Sequence, residues 1–425
     1  MKLADLQSFV VVAETGDLSH AAARLYRTEP AVSASIRRLE RAVGQRLFEP
    51  VPARRPRLTT GGEVLLAYAT QLLTLQRNVC GAIARLPVTA VDTPASLVRD
   101  ARTSGIYDLA RETPVSIAAG LSHRVGYQVA LKREDLQTGF SFKIRGAYHR
   151  MLRLSDHERT RGVVAASAGN HAQGVALAAR HLGIDALIVM PVNTPRVKIA
   201  AVRRAGAAIE LMGDAFDDAQ AYAARLCEQR GATFIHAFDD PLVVAGQGTI
   251  GVELDRQLPG SFKAVYVPVG GGGLIAGVGA VLEQLRPDVQ IVGVEPEGAD
   301  GLSRSLAAGR PLQLDSADSF AEGVAVRAVG RHTFAIASRV VDRVVRVSNE
   351  QICEAIREVY DDLRVVLEPS GAVAAAGLLS DGAAWSSDAT VVAILSGANL
   401  DFDRLPDLVR HRGAGGACDG ARHGA

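Results

Sequence analysis

Ala264-Val265-Tyr266-Val267-Pro268-Val269-Gly270-Gly271-Gly272-Gly273-Leu274 opens the longest uncharged run in the chain, which continues to Leu282. A run of this length is either a membrane-spanning helix, which needs about 20 apolar residues, or two shorter elements joined by a break. The choice separates a membrane protein from an α/β globule. Pro268 and four consecutive glycines occupy the middle, where both residue types interrupt a helix. The run is therefore read as a strand ending at Val269, a glycine loop and a helix, and no membrane association is expected.

The same strand, turn and helix grammar recurs on both sides. Gly162 to Ala166, Ala186 to Met190, Ala208 to Leu211, Gln290 to Val294 and Thr390 to Leu395 are short apolar runs, several ending at small or glycine-rich turns. Alternation of such runs with helical stretches from about Ala95 to Gly413 predicts an open α/β architecture, whose ligands gather at strand ends. Two domains or more are expected from 425 residues, and 48% hydrophobic content suffices to pack them. Net charge +1 carries no global nucleic-acid signal. Cys80, Cys227, Cys353 and Cys418 lie far apart, without the spacing of a disulfide framework or a zinc knuckle. Met1-Lys2-Leu3-Ala4-Asp5 does not lead into a signal peptide. A cytoplasmic location is expected.

Three turns and one lysine carry chemistry. Ser167-Ala168-Gly169-Asn170-His171-Ala172-Gln173-Gly174 follows a strand and opens a helix, so its N–H groups can hold a carboxylate. The loop Gly270 to Leu274 allows the close backbone approach a phosphate requires, although a plain tight turn has the same composition. Leu395-Ser396-Gly397-Ala398-Asn399 places one hydroxyl at the end of a buried strand, and His171 on its own reads equally as a structural histidine. Lys143, in Ser141-Phe142-Lys143-Ile144-Arg145-Gly146-Ala147-Tyr148, is one of only five lysines. A Schiff-base lysine must shed its proton, which burial and cationic neighbours favour, and Phe142 and Arg145 flank it. The plain alternative is a solvated lysine in a first helical turn.

The first sixty residues carry a local excess of basic residues over acids. Leu3, Leu6, Phe9 and Val10 mark a first helix, Gly16-Asp17 breaks it, and a short helix spans Ser19 to Leu25. Thr28 is the expected N-cap of a third helix, with Pro30 in its first turn. That helix is expected to bury Val32, Ile36, Leu39 and Val43 and to turn Ser33, Arg37, Arg38 and Arg41 outward, the layout of a recognition helix with phosphate-contacting arginines. A three-helix scaffold with a solvated basic face is the alternative. Further on, Leu65, Tyr68, Leu72, Leu75, Val79, Ile83 and Leu86 form a coiled-coil-like seam, to pair with a second subunit or to pack on the chain's own body. Pro87 to Pro94 reads as a linker.

Leu6-x-x-Phe9, Ala21-Ala22-x-x-Leu25, Pro30-Ala31-Val32-Ser33-x-x-Ile36 and Leu58-Thr59-x-x-Gly62 together resemble the winged helix-turn-helix of LysR-type transcriptional regulators. Departures are Glu29 before the proline, Pro50 after Phe48 and a longer wing around Pro52 to Pro56. The body, from Lys143 through the 167–174, 270–274 and 396–399 turns, resembles the threonine dehydratase family of fold-type II pyridoxal-phosphate enzymes. Glu368-Pro369-Ser370-Gly371-Ala372 and Phe320-Ala321-Glu322-Gly323 extend the likeness. The resemblances imply a helix-turn-helix domain over 1–60, a dimerising linker helix and linker over 61–94, and a pyridoxal-phosphate body of two open α/β subdomains over 95–413. A disordered tail is expected over 414–425.

The same resemblance implies pyridoxal 5'-phosphate as cofactor, Lys143 as its Schiff-base lysine and general base, and Phe142 as a ring-stacking neighbour. It makes Asn170 the partner of the phenolic oxygen, the Gly270, Gly271, Gly272, Gly273 and Leu274 backbone the phosphate grip, and Ser396 the partner of the ring nitrogen. Ser167, Ala168, Gly169, Asn170 and His171 would receive the substrate carboxylate. Elimination from L-threonine or L-serine, a homodimer or homotetramer, and DNA contact through the first domain are what the family features imply. Related racemases carry a serine at the position of Ala168, so elimination is expected over racemisation. No metal is expected, because Gly301 stands where cation-binding relatives place a carboxylate. The chain after Asn399 is too short for the C-terminal regulatory domain of biosynthetic relatives, so isoleucine feedback through it is not expected. Two other readings stay open: a regulator whose body senses an amino acid, and an N-terminal module reduced to a dimerisation arm.

Overall fold

The computed structural model describes residues 3–25, 28–49, 56–84, 94–214, 216–260, 262–383 and 385–410. Pro50, Leu86, the 87–93 part of the linker, the tail 414–425 and the side chains of Val79 and Ile83 lie outside that description. The chain divides into two compact units, Met1–Val88 and Thr89–Ala425.

In the first unit, helices Leu3–Thr15, Leu18–Arg24 and Glu29–Val43 are followed by a bridge between Phe48 and Leu58 and by the long helix Thr60–Ala84. Leu6, Phe9, Val10, Leu39, Leu47 and Ala69 form one core cluster, and Val12, Ala21, Ala22, Val32 and Ile36 another. Two expectations fail locally. Val43 is 38% exposed, because Gly44 ends the helix in the left-handed region (φ 72°) before that turn can bury. Thr28 has extended N-cap dihedrals but no side-chain capping bond. On the long helix, Leu65, Leu66 and Leu73 pack on the core while Tyr68, Leu72 and Leu75 stay exposed.

The second unit holds ten strands: β1 (Val115–Ile117), β2 (Gln128–Arg133), β3 (Val163–Ala166), β4 (Ala186–Met190), β5 (Ala208–Leu211), β6 (Thr233–Phe234), β7 (Phe262–Pro268), β8 (Gln290–Pro296), β9 (Arg343–Val347) and β10 (Thr390–Leu395). A six-stranded sheet has the order β1-β2-β10-β7-β8-β9 and a four-stranded sheet the order β5-β4-β3-β6. All pairs are parallel except β1 with β2. The uncharged run is strand β7, a loop and helix Gly273–Leu285, as its proline and glycines dictate. No helix among the described residues is long and apolar enough to cross a membrane.

Chain order places the site. The chain begins the large sheet, leaves to build the small one, and returns; β10, the last strand, then enters between β2 and β7. The carboxyl ends of β2, β10 and β7 therefore lie side by side, with Leu395 in register with Arg133. Such a change of strand order is where open sheets bind ligands.

Beneath that edge lies a fully buried ionic cluster. Arg145 donates to Glu134 at 2.7 and 2.8 Å, and to Glu253 and Thr249, while Lys132 pairs with the same Glu253. Two cations and two carboxylates satisfy one another out of water, tying helix Lys143–Leu152 to β2 and to helix Pro241–Gln257. Arg145→Met strands a carboxylate and should cost about 3–5 kcal/mol in urea unfolding, with Arg145→Lys failing to restore the forked geometry.

Candidate active site

Lys143 is the first residue of its helix, and the loop before it is stitched to the β10 turn. Ser141 bridges to Gly397, Phe142 N–H donates to Ser396 C=O at 3.3 Å, and Ala398 N–H donates to Phe140 C=O at 3.0 Å. Phe140 accepts the left-handed backbone (φ 56°) that this junction requires. The Lys143 amine donates to Ala237 C=O at 3.1 Å and lies 5.1 Å from the Phe142 ring centroid. Burial pushes its pKa down to about 8, against the opposing pull of Glu368. Arg145, expected as an activating cationic neighbour, is not one: its guanidinium is consumed by Glu134 and Glu253.

The glycine loop is glycine for several independent reasons. A Cβ on Gly270 would press on the Val324 backbone at 2.9 Å, one on Gly271 would enter the Phe238 ring at 2.3 Å, and Gly272 has φ 88°. The first bond of the following helix is Ala276 N–H to Gly272 C=O, so earlier N–H groups point out along the axis. Thr333 Oγ1 donates to Gly271 C=O at 2.7 Å. Asp239 accepts the N–H groups of Arg331, His332 and Thr333 at 3.0, 2.9 and 3.2 Å, fixing the helix that buttresses the loop. A bare backbone cradle at a helix start, beside a buried amine of lowered pKa, fits a phosphorylated aldehyde. The residues present suit pyridoxal phosphate.

The remaining predicted residues converge on the same place. Ser167 Oγ accepts Gly169 N–H at 3.2 Å, and Asn170 begins helix Asn170–Leu182. The Asn170 side chain bonds Glu368 and Asn399. Ser396 Oγ, buried, donates to Ser370 C=O at 3.0 Å. His171 gives its backbone to the turn, but its ring is directed inward. Its Nε2 meets Ile235 C=O at 2.9 Å, and burial, aided by Lys143, lowers its pKa to about 3, so the ring is neutral. Sequence reasoning missed Ala237, Phe238, Asp239 and Glu368 as site residues. Only the Glu368-Pro369-Ser370-Gly371 motif carried a signal, and it pointed to family rather than role. Glu295, buried at the end of β8, accepts the N–H groups of Leu302 and Ser303 at 2.7 and 2.8 Å.

On the first unit, Ala34, Arg37, Arg38, Glu40, Arg41, Gly44, Gln45 and Arg46 line a concavity of about 700 Å³. Arg37 and Arg41 are exposed there, and Ser33, on the same helix, is partly exposed. Arg38 is exposed on the same face, and its guanidinium also donates to buried Asp5 at 2.6 Å and to Ser35 at 2.8 Å, fastening the third helix to the first. Glu29, whose charge would repel phosphate, is held by the Ser19 hydroxyl.

Residues 106–397 match the family of pyridoxal-phosphate dependent enzymes, and residues 3–63 match the bacterial regulatory helix-turn-helix proteins of the lysR family. The chain is 50% identical over 304 residues to threonine dehydratase 1 biosynthetic, chloroplastic, of Solanum lycopersicum, covering 71% of this chain and 50% of that protein. It is 47% identical over 307 residues to the biosynthetic L-threonine dehydratase of Burkholderia multivorans, covering 71% and 61%. It thus spans about half to three-fifths of the curated relatives it matches. Among solved structures, the processed form of threonine deaminase isoform 2 from Solanum lycopersicum superposes with a TM-score of 0.73 at 48% identity, covering 75% of this chain and 93% of that one. Maize serine racemase gives 0.70 at 35% identity, covering 74% and 95%.

The lowered pKa of Lys143 has a testable sign. A base whose folded pKa lies near 8 rather than 10.5 destabilises the fold while both states are protonated, below pH 8; the penalty fades as pH rises from 8 to 10.5 and is gone above that. Lys143→Met should therefore stabilise the cofactor-free protein by on the order of 2 kcal/mol at pH 7, with the gain shrinking in melts at higher pH.

Proposed function

The chain belongs to the pyridoxal-phosphate dependent enzymes, and we propose from that premise that it eliminates water from L-threonine or L-serine, giving a 2-oxo acid and ammonia. One observation carries this reading: a buried lysine amine, a side-chain-free glycine cradle, a carboxylate-sized helix start and a buried serine hydroxyl meet at adjoining strand ends. The cofactor, when bound, supplies the electron sink that makes the α-proton acidic and the β-hydroxyl a leaving group.

The chain's own residues do the rest. N–H groups at the Ser167 to Asn170 turn hold the substrate carboxylate, which sets the α-carbon relative to Lys143. Lys143 accepts the α-proton, because its amine sheds its own proton near neutral pH. When the cofactor is bound, the Gly270 to Leu274 backbone would hold its phosphate, and Asn170 and Ser396 would address its phenolic oxygen and ring nitrogen. A serine hydroxyl there, unlike a carboxylate, would do little to hold a proton on that nitrogen, which would favour elimination. Ala168 offers no acid or base to the opposite face of the α-carbon, which favours elimination over racemisation.

We infer a DNA-binding role for residues 1–60 of the first unit, in a homo-oligomer paired through the exposed face of the following helix at Tyr68, Leu72 and Leu75. The arginine-lined concavity and the family match support it. A reducing, cytoplasmic setting suits the free thiols of Cys227 and Cys353.

Across a panel of β-hydroxy amino acids, purified protein should release 2-oxo acid fastest from L-threonine or L-serine, and Lys143→Ala should cut the rate by ~10³ or more. Full activity in that variant contradicts the proposal. In DNA titrations, Arg37→Ala and Arg41→Ala should each lower the slope of log affinity against log salt by about 1. Arg38→Ala should instead lower the melting temperature of the first unit.

A further inference from the structure

Glu368 is a buried carboxyl that the mechanism above does not use. It occupies the N-cap position of helix Pro369–Ser380 without capping it by its side chain, and is 9% exposed. Its Oε1 accepts from Asn170 Nδ2 at 2.6 Å, and a Cβ on Gly397 would come within 2.3 Å of that oxygen. The bond belongs to a chain with a fixed direction. Asn399 Nδ2 donates to Gly139 C=O at 2.8 Å, a carbonyl that can only accept, and also to Asn170 Oδ1 at 2.8 Å. The Asn170 amide is thus oriented from both ends, and flipping it would set donor against donor at Asn399. With one Nδ2 hydrogen committed to Glu368, the other remains for an acceptor in the site.

The charged groups around Glu368 come from several elements. Lys143 faces it from its helix, Lys198 from helix Arg196–Ala205, and Glu322 from the segment after β8 and its helices. Glu322 is itself paired with Lys198 and with Arg404. Burial pushes the Glu368 carboxyl up to about 7; Asn170, Lys198 and Lys143 oppose the rise and Glu322 adds to it. The group therefore changes charge in the range where the enzyme would work.

We propose that Glu368 is a positioning residue whose ionisation sets the state of the site: as a carboxylate it fixes the Asn170 amide and favours positive charge at the Lys143 nitrogen, and on taking a proton from water it withdraws that bias. This rests on the reading of Lys143 as the cofactor lysine.

The test uses the full chain loaded with pyridoxal phosphate, following visible absorbance and 2-oxo acid release from L-threonine against pH. In the wild type both should change through an ionisation near pH 7. Glu368→Gln keeps an oxygen acceptor for Asn170 but cannot ionise. It should remove that ionisation from both profiles and lower kcat about tenfold with little change in KM. A purely structural acceptor would be rescued by glutamine, so profiles identical to wild type overturn the inference. Asn399→Asp, which reverses polarity at the head of the chain, should shift the same spectral ionisation; an unshifted one also overturns it. A wild-type spectrum without lysine-bound cofactor overturns the underlying reading and the inference with it, and is distinct from a normal spectrum indifferent to position 368.

Discussion

A buried amine must give up its proton easily, and that requirement constrains everything around Lys143. Water would stabilise the ammonium, so the residue is withdrawn into a junction of two sheets, with one backbone carbonyl as its hydrogen-bond partner. Neighbouring carboxylates would oppose loss of that proton and are best paired elsewhere. Arg145, two residues along, is neutralised by Glu134 and Glu253 within a cluster that also absorbs Lys132. Glu368, a carboxyl that faces the amine, is itself pushed up to about 7 by burial. The ionic cluster thus leaves burial, not a nearby guanidinium, to lower the Lys143 pKa.

Topology supplies the remaining constraint. Because β10 inserts between β2 and β7, turns separated by more than two hundred residues become neighbours, and each closes on another. The 139–142 loop is laced to 396–398, Asn170 to Asn399, and the glycine loop to Phe238 and Thr333. A substitution at one turn is therefore felt at the others.

Much of this was legible from the residues. All six apolar runs form strands; β3 and β10 are buried almost throughout and read as nearly unbroken Val, Ile and Ala, whereas β5, at a sheet edge, is partly exposed and carries Glu210. β9 escaped notice since Arg343 and Arg346 interrupt its pattern at the sheet's edge, and β1 and β6 are too short to register. The four chemical segments were found by local turn composition. What stayed hidden were partners defined by distance in sequence: Asp239 bracing a helix start 92 residues on, and Ala237, whose role is a carbonyl and so leaves no trace in side-chain type. Arg145 was misread for a related cause, because a charge near a site in sequence says nothing about the carboxylate that consumes it in space.

The central claim is that Lys143 alone carries pyridoxal phosphate. Borohydride reduction of the purified full-length protein, followed by proteolysis and mass spectrometry, tests it most directly. The account predicts a phosphopyridoxyl adduct on the peptide containing Ser141-Phe142-Lys143. An adduct on Lys132, Lys198 or Lys263, or none on any lysine, would contradict it.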